Sequence, residues 1–283
     1  MTTAEQRDAV RFLTRYGISV RRACSLVQLA RATFHYQARP RPEDAPLVAE
    51  IAALAHANPR YGYRRVWAVL RRTRPINRKR VHRLWKQARL QVARRRRQRR
   101  SRTRPAIVAA THPNHVGAYD FVEDCDTDGR SLRILTVMDE FTREGLDIDV
   151  VTSASADWVI SRLARLVADY GAPAHLRSDN GPEFVAVAVQ QWLTTQQIAT
   201  LYIDPGCSWQ NGKEERFNGT VRDECLNRHV FTSLAEARVR LHAFRRYYNQ
   251  ERPHSALGYQ TPVEFKRAWY ATYHKQDDPN IAT

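Results

Sequence analysis

Apolar positions recur at helical spacing up to about residue 92, and after Pro113 the texture changes to short strand-like runs. Residues 1–38 read as helices with short breaks. Ser19 is placed to N-cap a helix over 20–27, whose apolar stripe is Ala23, Leu26 and Val27. A second short helix covers Arg31 to Tyr36 and carries Arg, Thr and His. That order suits a helix-turn-helix, although two ordinary amphipathic helices would give the same pattern. Prolines 40, 42 and 46 mark a linker. A second helical unit follows, with the segment Val48 to Ile51, a turn from Asn58 to Tyr63, a helix over 64–72 and another from Asn77 to Ala88. Asn77 is its N-cap, Val81, Leu84 and Trp85 its buried face, and Arg78, Lys79, Arg83 and Lys86 its polar face.

Beyond Pro113, strands are predicted over 117–122, 132–138 and 146–151. The third alternates strictly between apolar and polar residues, the pattern of a half-exposed strand. Asp128-Gly129 supplies the first turn. A helix over 155–170 ends at Tyr170-Gly171, with Trp158, Leu163, Leu166 and Val167 as its apolar positions. Strand 174–178, a helix near 185–196, strand 198–203, a helix around Glu215 and one from Ser233 to Asn249 complete the order. Three meandering strands followed by alternating helices and strands give an α/β fold with a mixed sheet.

Charge divides the chain as the pattern does. Of 46 Lys and Arg, 28 lie in residues 1–110 with only five acids, a net +23, while the remainder carries −6. Residues 94–104 hold eight arginines in eleven positions, too dense for a packed element and suited to tracking a phosphate backbone. A basic front joined to a mildly acidic remainder points to a nucleic-acid-binding module followed by a different one. No apolar run approaches the ~18 residues of a membrane span, and no signal peptide or lipidation motif opens the chain. Cys24, Cys125, Cys207 and Cys225 form no C-x-x-C pair, so a reduced, cytoplasmic setting is expected rather than a zinc ribbon or a disulfide framework.

Three carboxylates stand out by context rather than spacing, since 29 acids produce many coincidental pairs. Asp120 sits inside an apolar first strand between Tyr119 and Phe121. Asp179 follows a strand, where the chain turns through Asn180-Gly181-Pro182, and strand ends are where ligands of α/β sheets bind. Glu215 lies in the first turns of a helix opened by Asn211-Gly212; Asn218 and Arg222 share its face, while Phe217, Val221 and Cys225 form the buried side. Carboxylates in such places suit a two-metal phosphoryl-transfer site.

These residues belong to longer blocks: Tyr61-Gly-Tyr-Arg-Arg65, Val137-Met-Asp-Glu-Phe-Thr-Arg143, Ser178-Asp-Asn-Gly-Pro-Glu-Phe184, Gln210-Asn-Gly212, Glu215-Arg-Phe-Asn-Gly219 and Arg252-Pro-His-Ser-Ala-Leu257. Over roughly 15–268 the chain resembles the integrase core of bacterial insertion-sequence transposases and retroviral integrases, nearest the second-reading-frame product of the IS-three family. The resemblance implies a ribonuclease H-like mixed-sheet core over 111–270 with a C-terminal helix. It implies all-α helix-turn-helix-like units at 1–42 and 43–93, an arginine linker at 94–110 and a tail at 271–283. It assigns Asp120, Asp179 and Glu215 as catalytic, metal-binding residues, with Glu214 the competitor for the last place. Asp120 departs from the family pattern, which has Trp or Ser-x-Asp where this chain has Gly-Ala-Tyr. Asp139 is assigned to structural hydrogen bonding, and Asp124, Asp126 and Asp128 to a polar strand end or turn.

The activity implied is that of a DNA transposase that cleaves element ends and joins the 3′-hydroxyl to target DNA, without a covalent protein intermediate. Two Mg²⁺ ions about 3.5–4 Å apart, with Mn²⁺ as a substitute, would serve it. Double-stranded DNA is the implied partner, with a homo-oligomer on DNA and an upstream-frame partner or fusion. Candidate DNA contacts are Arg64, Arg65, Arg78, Lys79, Arg83, Arg94, Arg95, Arg96, Arg97, Lys213 and Arg222. The competing readings are a DNA-binding regulator with an inactive core and a nuclease of the same fold.

Overall fold

The computed structural model describes residues 1–36, 41–92, 108–179, 186–203 and 208–276. The chain divides into two compact units, Met1–Glu50 and Ile51–Thr283.

In the first unit, helices α1 (Thr3–Arg15), α2 (Val20–Leu26) and α3 (Arg31–His35) enclose Val10, Ala23, Cys24 and Leu29. Thr2 and Glu5 close a capping box on α1. The Ser19 hydroxyl caps α2 by accepting from the Arg22 amide, as its sequence position predicts. Leu26 departs from the expected stripe. It is 62% exposed, because Ala23 and Cys24 supply the inward face of so short a helix.

Helix α4 (Asp44–Ala57) leads into the second unit. There α5 (Tyr63–Leu70) and α6 (Arg78–Gln87) bury Val66, Ala68, Leu70, Val81, Leu84 and Trp85. Asn77 caps α6 by accepting from the Lys79 amide at 2.8 Å. The predicted polar face, Arg78, Lys79, Arg83 and Lys86, is exposed.

A five-stranded sheet forms the centre, with strands β1 (Val116–Cys125), β2 (Ser131–Asp139), β3 (Gly145–Val151), β4 (His175–Ser178) and β5 (Ala199–Tyr202) in the order β3-β2-β1-β4-β5. The first three pair antiparallel, and β4 and β5 add parallel. Asp126 organises the β1–β2 turn by accepting from the amides of Asp128 and Arg130, and Gly129 takes the left-handed φ of +77°.

One face of the sheet packs on α7 (Ala156–Tyr170) and α8 (Val187–Thr195) through Tyr119, Leu135, Leu163, Leu176 and Leu193. Gly171, at φ +81°, ends α7 where the sequence places the break. The other face packs on α9 (Gly212–Glu224) and α10 (Leu234–Gln250) through Ala118, Val122, Ile134, Met138, Phe217, Val221 and Phe244. Helix α11 (Pro262–Gln276) follows and continues past the boundary expected at residue 270.

Strand β3 corrects the sequence expectation. Its polar positions Asp147 and Asp149 are 3% and 5% exposed rather than facing water. Arg162 of α7 donates to Asp147 at 2.6 and 2.9 Å and lies 3.2 Å from Asp149, while Arg238 of α10 donates to Asp149 at 3.1 Å. Strict alternation marks two chemically different faces, and here arginines from distant helices cover the charged one.

Candidate active site

Asp120 lies on β1 between Ala118 and Val122, on the face that α9 covers. The β1–β4 register sets Ala118 opposite Arg177. Asp179 follows directly on the end of β4 at Ser178, so the two carboxylates belong to neighbouring parallel strands in the interior of the sheet. The third comes from α9, where Glu215 in the first turn is exposed.

Asn218, one turn after Glu215, donates its amide nitrogen to Asp120 Oδ2 at 2.9 Å and ties helix to strand. Burial raises the Asp120 carboxyl to about 6, helped by the charges of Asp179 and Glu215 and opposed by hydrogen bonds from the Phe121 amide and Asn218. Asp120 therefore feels both other carboxylates.

Glu214 is fully buried beside this site. Its Oε1 lies 2.8 Å from Thr136 Oγ1, which is also 2.7 Å from Asn218 Oδ1 and 3.1 Å from the Asp120 carbonyl. One hydroxyl has a single proton to give, so three oxygen neighbours need a second proton. Burial, followed by the charges of Asp120 and Glu140, drives the Glu214 carboxyl well above the usual carboxylate range and supplies it. Glu214 is thus a core group whose burial favours the neutral form, whereas Glu215 is exposed.

The hard oxygen donors of Asp120, Asp179 and Glu215 suit a divalent cation of the magnesium type, which would relieve their mutual repulsion. Among the described residues, no three His, Cys, Asp or Glu side chains already converge on one cation position.

Helix α9 is fixed at its other end by Glu224. This carboxylate accepts from Arg252 Nε and Nη2 at 2.7 Å each and from Arg65 Nη1 at 3.3 Å. Beside it, the Tyr61 hydroxyl meets Tyr247, whose hydroxyl donates to Asn58 at 2.7 Å. Arg65, one of the expected DNA contacts, thus has an internal carboxylate partner. It is drawn inward by Glu224 and stacks over Tyr61, while its neighbour Arg64 is exposed.

Lys213 donates to buried Glu140 at 2.7 Å, and Arg222 donates to the Glu123 carbonyl at 2.6 Å. Arg94 to Arg97 lie outside the described residues. Asp139 accepts from Thr142 and from the Asn114 amide, a structural role. Sequence reasoning missed Thr136, Glu140 and Glu224. The available signal was a lone polar residue, Thr136, inside the apolar run of β2.

Family models match both parts of the chain. Two models described as "Integrase core domain" match residues 110–208 and 196–262, and one described as "HTH-like domain" matches 42–98. A 31.7 kDa protein of insertion element IS407 from Burkholderia multivorans is 43% identical over 90% of this chain and 93% of its own length. A 39.2 kDa protein of insertion element IS476 from Xanthomonas euvesicatoria is 40% identical over 97% of this chain and 79% of its own. The transposase InsD of insertion element IS2-9 from Escherichia coli is 27% identical over 94% and 95%. Among solved structures, the simian T-cell lymphotropic virus intasome in complex with a PP2A regulatory subunit aligns with TM-score 0.52 at 17% identity, over 77% of this chain and 74% of that one.

The last likeness speaks to the fold, a ribonuclease H-like mixed sheet with flanking helices. With relatives this similar over nearly the whole length, the chain belongs to the IS-three family of insertion-element transposases, polynucleotidyl transferases with an Asp-Asp-Glu integrase core.

Proposed function

We propose that this transposase cleaves DNA at the ends of its insertion element and joins the freed 3′-hydroxyl to target DNA in a divalent-metal-dependent reaction. The observation that carries the reading is the hydrogen bond from Asn218 to Asp120 Oδ2, which ties the helix bearing Glu215 to the strand bearing Asp120, next to the strand that Asp179 follows. Asp120, Asp179 and Glu215 are the residues that would hold Mg²⁺. When bound, the metal supplies Lewis-acid stabilisation of the phosphate and a more acidic attacking water or hydroxyl.

The chain's own residues set the geometry. Asn218 orients the Asp120 carboxylate through one oxygen. Glu214 and Thr136 hold α9 against β2, and burial of Glu214 disfavours a further negative charge beside the scissile phosphate. No side-chain nucleophile enters the scheme, since the water and then the 3′-hydroxyl attack phosphorus directly.

DNA engagement is assigned to the helical units 1–42 and 43–93, the linker 94–110 and the exposed row Arg78, Lys79 and Arg83. Two ends and a target must be held together, which calls for an oligomer on DNA, with an upstream-frame product as partner or fusion. The direct test is strand transfer on duplexes carrying the flanking DNA of the element with Mg²⁺. Joined products support the reading, and binding without cleavage supports a regulator instead.

A further inference from the structure

Residues 58–72 carry α5 and lie against three helices of the carboxylate core. The Tyr61 hydroxyl meets that of Tyr247 on α10, which donates to Asn58 Oδ1 at 2.7 Å. Each phenol has one proton, so Tyr61 donates to Tyr247 and the chain of hydrogen bonds runs one way. The Asn58 side-chain nitrogen is engaged elsewhere, donating to the Leu54 carbonyl at 3.2 Å. On α9, Arg60 reaches Asp223 at 3.3 Å and Arg65 reaches Glu224 at 3.3 Å. Arg71 donates to the Gly258 carbonyl at 3.2 Å. Arg72 donates to the Glu251 carbonyl at 3.3 Å and to Glu264 of α11 at 2.9 Å.

These bonds cross between two parts that the family models match separately, 42–98 and 196–262. Exposed ion pairs such as Arg60–Asp223 do little to hold such parts together. The inner set does more. Tyr61 and Arg252 are buried and the Glu224 side chain is 9% exposed, so slippage would strand polar groups away from water. On one side, α5 contacts α6, and Trp67 donates to the Ile76 carbonyl at 2.9 Å across their connecting turn. On the other, Glu224 lies on the same helix as Glu215, about 14 Å away by the rise of an α-helix. The basic face of α6 and the Glu215 carboxylate are therefore joined by packed elements, without passing through the arginine-rich residues 94–104.

We propose that the docked segment 58–72 is a ruler, which holds α6 at a set distance from the carboxylate site and so measures the cut from the bases that α6 covers. Tyr61, Arg65 and Arg72 are its positioning residues. The inference rests on the transposase reading above and deepens it. Parts joined only by a linker move relative to one another by default and would cut at variable distance. A fixed offset instead makes the position of the break follow from where α6 binds.

Two measurements on the full chain test this. Hydroxyl-radical footprinting of the wild type and of Lys79→Ala/Arg83→Ala locates α6 on a duplex from the flanking DNA of the element. Two base pairs are then inserted between that footprint and the cut made with Mg²⁺. The cut should keep its distance from the footprint, and so shift by two nucleotides in the terminal sequence. A cut that stays with the terminal sequence would overturn the proposal, as would footprints that do not differ. The second measurement is hydrogen exchange without DNA. Amides of α5 and α6 should open together with the sheet in the wild type. In Tyr61→Phe/Arg72→Gln they should open ahead of it, and the cuts should spread over neighbouring positions. Early opening in the wild type, or a double variant with wild-type exchange and one cut position, would overturn the ruler. An uncut native duplex with α5 and α6 still opening with the sheet would count against the transposase reading and for the docked arrangement.

Discussion

Asn218 on α9 donates to Asp120 Oδ2 on β1 at 2.9 Å, one helical turn from Glu215, so α9 and β1 are joined at the carboxylate itself. Replacing such an orienting partner typically lowers metal affinity or activity by ~10–100-fold. Asn218→Ala should therefore slow Mg²⁺-dependent cleavage by roughly that factor while duplex affinity stays near wild type, measured by single-turnover cleavage and by titration. A cleavage rate equal to wild type would show that Asp120 needs no tether.

Neighbouring Glu214 and Glu215 should respond oppositely to the same substitution. Glu214 is buried, which favours its neutral form, so Glu214→Gln keeps its shape and its hydrogen bond to Thr136. Its unfolding free energy should change by less than about 1 kcal/mol and cleavage should persist. Glu215→Gln should leave stability alone and abolish cleavage. Loss of cleavage in the first variant only would transfer the metal-binding role to Glu214.

The far end of α9 makes a stability prediction. Arg252→Ala strips two of the three donors from a carboxylate that is 9% exposed, and breaking a buried pair costs about 3–5 kcal/mol. Arg65→Ala removes only the 3.3 Å contact and should cost about 1 kcal/mol. Urea unfolding of both variants checks the order. A larger loss in Arg65→Ala would mean that Arg65 holds Glu224.

His254 sets an acid limit. Burial, then the charge of Arg252, lowers its imidazole from 6.5 to about 3, and Arg252 donates towards Nε2, which keeps the ring neutral. The unfolded chain then binds one more proton than the folded one between these values. The contribution is present in full above pH 6.5 and is lost as pH falls towards 3, at up to about 1.4 kcal/mol per unit. Stability against pH should be flatter in His254→Gln. Parallel curves would place the acid sensitivity elsewhere.

Much of the framework was legible because its signals are local. The caps Ser19 and Asn77, the break at Gly171 and the buried rows Val81, Leu84, Trp85 and Phe217, Val221, Cys225 all express short-range periodicity or cap chemistry. Pairings between distant elements were not legible. Asp147 and Asp149 looked solvent-facing because their arginines come from α7 and α10, and the Arg65–Glu224 pair joins residues far apart along the chain. At the site, Asp120 and Asp179 were marked by their context, but their adjacency depends on a β1–β4 register that no local pattern encodes.

The central claim is tested most directly by strand transfer with Mg²⁺ on duplexes carrying the flanking DNA of the element, comparing the wild type with Asp120→Asn, Asp179→Asn and Glu215→Gln. The three carboxylates predict joined products from the wild type alone, with duplex binding nearly equal in all four proteins. Joining by any of the three variants at the wild-type rate would contradict the assignment.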